Sequence, residues 1–265
     1  MTTLQAILFG CLQGITEFLP VSSSGHLILL KNLFGLEEVP RLFDILLHVA
    51  TLLVVLVIFR EKTARLLATL GRLLARRRAE EDPRNLRLIL AILAATLCTG
   101  TAGILLKDID FESRPKIVAA FLLVTALILL ASRIFRKHAN PARTPGTREG
   151  IITGLAQGIG VLPGISRSGI TISAALLAGV GRAEAGEFSF LLSIPAILGA
   201  LVLSLKESGN LAQSVPPLAL AAGLASAALT GYICLRLLMR VIRGGRLHLF
   251  ALYLIPAGIL GIIFL

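Results

Sequence analysis

Gln13–His26 reads QGITEFLPVSSSGH, and a second stretch, Gln157–Gly169, reads QGIGVLPGISRSG. An offset of 144 positions places Gln13 on Gln157, Gly14 on Gly158, Ser22 on Ser166, Ser24 on Ser168 and Gly25 on Gly169. Pro20 and Pro163 miss that register by one. Both stretches are polar and broken by Gly and Pro, inside a chain that is otherwise apolar. The architecture has to accommodate that duplicated break.

Of the 265 residues, 55% are hydrophobic and 15% charged, and the mean hydropathy is +0.87. Several apolar runs approach the roughly 20 residues that span a bilayer. They are too many and too long for the core of a soluble domain. The formal net charge of +11 is clustered at Arg60–Arg87 (Lys62, Arg65, Arg72, Arg76, Arg77, Arg78 and Arg84), Arg133–Arg148 and Arg236–Arg246. These clusters read as loops between apolar runs, without interleaved aromatics or a nucleic-acid motif. They fit the positive-inside rule, and no nucleic-acid partner is expected. Cys11, Cys98 and Cys234 all lie in apolar segments without CxxC spacing, so neither a zinc site nor a disulfide scaffold is implied. The first segment lacks the basic region and cleavage site of a signal peptide and is read as part of the fold.

Residues 3–34 break at Pro20–Gly25, leaving halves of about 15 residues, too short to cross a membrane alone at 1.5 Å per residue. A re-entrant helical hairpin is expected there, and a second over 150–180. Spans are expected at 43–59, 86–106, 117–135, 186–206, 215–238 and 247–265. The fold class is therefore an all-α polytopic membrane protein, with six transmembrane helices and two re-entrant hairpins. It forms a single domain over 1–265, built from inverted repeats of about 1–138 and 148–265. Phe43–His48 (FDILLH) echoes Phe188–Ser193 (FSFLLS) between the halves. With the basic clusters in the cytoplasm, both termini fall outside. Inverted repeats with broken helices place the functional site where the breaks meet.

Ionisable groups within a membrane are costly and mark functional sites. The first break supplies Glu17 and His26; the second supplies Arg167. Hydroxyls surround them: Thr16, Ser22, Ser23, Ser24, Ser166, Ser168 and Thr171. An arginine fork and Ser/Gly turns that open helices suit a phosphate. Ser23 is a candidate nucleophile, with Glu17 or His26 as its base. Glu17 is also a candidate ligand for a divalent cation. A structural Glu17–Arg167 ion pair, serines that serve helix packing and a core His26 are the plainer alternatives. His48 lies in a span without polar neighbours in sequence and reads as structural. Asp44 reads as a helix N-terminal charge, and Glu184 and Glu187 as interfacial. These residues leave two functions open: a membrane enzyme acting on a phosphorylated lipid, or a secondary transporter or flippase for an anionic substrate.

QGITEFLPVSSSGH resembles the first signature of the BacA/UppP family of undecaprenyl-diphosphate phosphatases, and PGISRSGIT (Pro163–Thr171) its second. The resemblance runs the length of the chain. It implies hydrolysis of undecaprenyl diphosphate to undecaprenyl phosphate, which recycles the carrier lipid of cell-wall synthesis, and an association with bacitracin resistance. It also implies a Mg2+ or Ca2+ cofactor. The expected location is the bacterial plasma (inner) membrane, with the active site facing the periplasm or the outside. On the same grounds Glu17, Ser23, His26 and Arg167 are catalytic, and Glu17 holds the metal. Gln13, Ser22, Ser24, Ser166, Ser168 and Thr171 bind substrate. Gln13 stands where the family has Glu or Gln, leaving one carboxylate fewer for a cation. Oligomeric state stays open, with a homodimer among the arrangements.

Overall fold

Leu19 precedes Pro20, and the chain leaves its first helix there. The clash of a proline ring with the preceding residue disfavours helical backbone, and Leu19 is extended at φ −60° and ψ 138°. Ser22 then takes a left-handed φ of 73°. In the second break Gly164, just after Pro163, has φ +97°. Any Cβ there would lie 2.3 Å from the Val118 carbonyl oxygen, so glycine is required for both conformation and space.

The computed structural model describes residues 1–34, 41–77, 79–106, 109–111, 113–133, 144–207 and 215–265. Arg78, Lys107, and most of the expected basic segment Arg133–Arg148 lie outside them. The first break separates α1 (Thr3–Phe18) from α2 (Ser23–Phe34), and α3 (Arg41–Ile58) and α4 (Arg60–Leu74) follow. Next come α5 (Asp82–Leu106) and α6 (Pro115–Ala131). The second break separates α7 (Thr147–Ile159) from α8 (Arg167–Leu177). The chain continues through α9 (Arg182–Glu207), α10 (Pro217–Arg243), a short 3-10 turn (Leu247–Phe250) and α11 (Ala251–Phe264). No strand occurs among the described residues.

Among the described residues, four helices are long and apolar enough to cross a bilayer: α5, α9 over Arg182–Leu203, α10, and the continuous segment Leu247–Phe264. α3 and α4 meet that test only as a pair, bent by 83°. α6 is apolar but has 17 residues. Among the described residues helix occupies most of each expected span, four or five of them are long and apolar enough to cross, and the chain is an all-helical, multi-pass membrane protein. One expectation is corrected. The stretch from Arg60 is a helix as far as Leu74, not a loop. It is amphipathic, with exposed Leu67, Leu70, Leu73 and Leu74 beside its arginines, a pattern suited to the plane of a membrane surface.

Small residues set the closest packing. α1 lies on α10, where a Cβ on Gly10 would sit 2.1 Å from the Gly223 oxygen and one on Gly14 2.1 Å from the Thr230 hydroxyl. α7 lies on α5 in the same way, with Gly150 and Gly154 against Ala91 and Ala95. Ala6, Gly10 and Gly14 share the 144 offset with Gly150, Gly154 and Gly158. In lipid, where apolar burial contributes little between helices, such stripes let backbones approach and dispersion act. The packing places the ends of α1 and α7, and hence both breaks, side by side.

Candidate active site

The two turns are bonded to each other. Ser22 Oγ accepts from the Gly164 amide at 3.0 Å and from the Gly25 amide at 3.3 Å. Ser166 repeats the second bond, accepting from the Gly169 amide at 3.1 Å as the N-cap of α8. The offset seen in sequence is therefore a repeated helix-capping device. Thr125 of α6 braces the second turn, accepting from the Ser166 amide at 3.0 Å and donating to the Gly164 carbonyl at 2.9 Å.

Ser23 and Arg167 each follow the capping serine, and both reach Glu17. Ser23 Oγ donates to Glu17 Oε2 at 2.6 Å. Arg167 Nη2 forms an ion pair with Glu17 Oε1. Glu17 has 7% relative exposure, so this charge is held inside the protein by its partners. Arg167 Nη1 is buried without a partner, and so is Gln157 Oε1. Both residues line a cavity of about 220 Å³, together with Glu17, Ser23, Ser24 and His48. A buried guanidinium nitrogen without an acceptor is an open position for an anionic oxygen.

His48 belongs to this site, contrary to the expectation that it lacked polar neighbours. Its Nδ1 lies 3.0 Å from Glu17 Oε2 and 2.7 Å from Gln13 Nε2. Gln13 Nε2 also donates to Glu17 Oε2 at 3.1 Å. One ring tautomer accepts from Gln13, and the protonated nitrogen instead donates to Glu17. α3 packs on α1 and delivers the histidine across a gap of 31 positions from Glu17. The FDILLH/FSFLLS echo was the available signal.

The remaining expected residues divide. Ser22, Ser166 and Ser168 line the cavity while holding backbone, Ser168 donating to the Phe18 carbonyl at 3.3 Å. Thr171 lies behind it, 2.6 Å from Ser189 Oγ. His26 is not brought to the Glu17–Ser23 pair. Its Nδ1 sits 2.8 Å from the Ser22 carbonyl oxygen and its Nε2 2.8 Å from the Tyr253 hydroxyl. Asp44 pairs with Lys31 and Glu187 with Lys62, all four side chains being partly buried.

A divalent cation of the Mg2+ or Ca2+ type takes six or more oxygens. Among the described residues no three His, Cys, Asp or Glu side chains cluster for a metal. Among the described residues Glu17 is the cavity's single carboxylate, and both of its oxygens are already engaged. A cation caged by protein ligands alone does not fit these residues. One that arrives with phosphate oxygens needs only Glu17 from the chain.

Fold and site together define a multi-pass membrane protein with a buried serine–carboxylate–arginine centre. The sequence profile of the family described as bacitracin resistance protein BacA matches residues 6–260, and the chain belongs to that family. It is 49% identical to a Treponema denticola protein named undecaprenyl-diphosphatase, over 98% of this chain and 96% of the relative. Proteins of the same name from Desulfosudis oleivorans and Carboxydothermus hydrogenoformans are 41% and 40% identical, each over at least 96% of both chains.

Proposed function

We propose that the protein hydrolyses undecaprenyl diphosphate to undecaprenyl phosphate and inorganic phosphate, returning the carrier lipid for cell-wall synthesis. The observation that carries this is Glu17, bound at one oxygen by Ser23 and at the other by Arg167, beside a cavity into which the free Arg167 Nη1 opens. Membership of the family and the shared name of the relatives supply the substrate.

The chemistry follows from those contacts. Arg167 exchanges its bond to Glu17 for the diphosphate oxygens, and its second nitrogen adds to the grip. Glu17, released from its counter-charge, takes the Ser23 proton. Ser23 Oγ bonds the terminal phosphorus, and the bond from that phosphorus to the bridging oxygen breaks, releasing undecaprenyl phosphate. Water then attacks the phosphoserine phosphorus, the bond from that phosphorus to Ser23 Oγ breaks, inorganic phosphate leaves, and Glu17 returns the proton to Ser23 Oγ. Guanidinium and the helix N-termini behind Ser22 and Ser166 stabilise charge spread over the phosphoryl oxygens. His48 and Gln13 orient Glu17, while His26 holds the Ser22 turn. Glu17 would hold a divalent cation, which would supply neutralisation of the diphosphate charge.

The same proposal includes six spans, two re-entrant hairpins and an inverted repeat in the plasma membrane, with the cavity facing outward. The packing supports the repeat, because α1 lies on α10 as α7 lies on α5, while α3 meets α9 and α6 meets α11. Phosphate release from undecaprenyl diphosphate in detergent, with and without chelator, is the test. Absence of release, with uptake of an anionic solute into vesicles, would instead establish a transporter.

A further inference from the structure

A second cavity, of about 340 Å³, opens at the elbow between α3 and α4, where α9 and α10 pass. Arg60, Lys62, Arg65 and Arg236 line it, with Tyr232 and Glu187. It lies far from the phosphatase centre: His48 and Arg60 are 12 positions apart, roughly 18 Å along helix at 1.5 Å per residue. Between them stands an aromatic wall. Phe190 meets Phe18 at 5.7 Å and Phe59 at 6.2 Å between ring centroids, and all three rings are buried.

The charge in this cavity is not balanced internally. Lys62 pairs with Glu187. Among the described residues no carboxylate pairs with Arg60, Arg65 or Arg236, and the remaining acid lining the cavity is Glu61. Arg236 is held with its guanidinium carbon 4.8 Å from the Tyr232 ring centre, which orders the cation without neutralising it. α4 begins here without a side-chain cap, so its positive end adds to the field.

The surroundings are those of a lipid headgroup. The 83° bend turns the chain from α3, the apolar arm, into the amphipathic α4. That puts the elbow where bilayer meets water. Val57 lines the cavity and is exposed, and Leu53 lies one turn along the same face. On α10 the exposed Leu229, Ile233 and Leu237 form a second apolar stripe beside Arg236. We propose that this cavity binds the phosphate headgroup of an anionic membrane phospholipid, with acyl chains lying along the α3 and α10 stripes. Basic pockets between helices at the membrane boundary take such headgroups.

The test uses the intact protein in nanodiscs of mixed phosphatidylcholine and phosphatidylglycerol. Native mass spectrometry counts the phosphatidylglycerol retained after extraction. Each basic residue is worth about 1 kcal/mol towards anionic lipid. Arg236→Gln should therefore weaken retention about fivefold, and the triple variant Arg60→Gln/Arg65→Gln/Arg236→Gln by on the order of 100-fold. The unfolding midpoint of each variant shows whether it is folded, and the single variant carries the test if the triple is not. Equal retention by folded variants would overturn the proposal. So would displacement of the lipid by millimolar inorganic phosphate, which would mark a free-phosphate site.

Discussion

Ser23 and Arg167 occupy the same position in two different helices, one residue past a capping serine, and they meet at opposite oxygens of Glu17. The 144 offset that pairs them in sequence places a hydroxyl in one copy and a guanidinium in the other. Val161 stands where Glu17 aligns, so the second copy lost the acid. One copy carries the hydroxyl and the carboxylate, and the other carries the guanidinium that pairs with that carboxylate.

If Ser23 attacks phosphorus, Ser23→Ala should lower phosphate release by on the order of 100-fold or more, since removal of a positioned reacting group costs at least that. Loss of its buried hydrogen bond to Glu17 should lower the unfolding midpoint modestly, so the midpoint is read beside the rate to show that the variant is folded. A loss below about tenfold would assign the attack to water, with Glu17 as its base.

Glu17→Gln should abolish turnover and also destabilise the protein, because the partly buried Arg167 loses its counter-charge. Breaking a buried pair from one side costs about 3–5 kcal/mol. Inorganic diphosphate should then raise the unfolding midpoint of this variant more than that of the unsubstituted protein, since the anion replaces the missing carboxylate. Arg167→Ala should lose turnover and any diphosphate-induced stabilisation together. Stabilisation equal to that of the unsubstituted protein would place the anion elsewhere.

Much of this site was legible because it is local. Leu19–Pro20 had to end a helix, Ser22 and Ser166 had to cap the next ones, and the shared register announced two related turns. What sequence did not disclose is the side-chain direction imposed by neighbouring helices. His26 is three positions from Ser23, yet it is stacked against Tyr253 of α11, with ring centres 5.6 Å apart. His48 is distant in sequence and flanked by apolar residues, yet it reaches Glu17. The basic run after Arg60 suggests a loop in sequence because its charge masks the apolar face of α4, whose period is helical.

His48→Ala should reduce kcat by about tenfold with little change in KM, since His48 touches Glu17 Oε2 and not Arg167. His48→Gln keeps a side-chain donor and should recover part of that loss. Equal defects in the two variants, or a defect confined to KM, would remove His48 from the positioning of Glu17.

The helix packing yields a prediction of opposite signs for one substitution. At Gly14 of α1 a Cβ would meet the Thr230 hydroxyl at 2.1 Å and the Ala227 carbonyl oxygen at 2.4 Å. The second of these is backbone and cannot rotate away, so α1 and α10 must separate. Overpacking of this kind costs about 1–3 kcal/mol. At Gly71, exposed within α4, nothing lies within 4 Å of the same atom. There alanine improves helix propensity by about 0.8–1 kcal/mol. Gly14→Ala should therefore lower the unfolding midpoint in detergent and reduce activity, because α1 carries Glu17. Gly71→Ala should raise the midpoint slightly and leave activity alone. Equal shifts for both would mean that close α1–α10 contact does not set the position of Glu17.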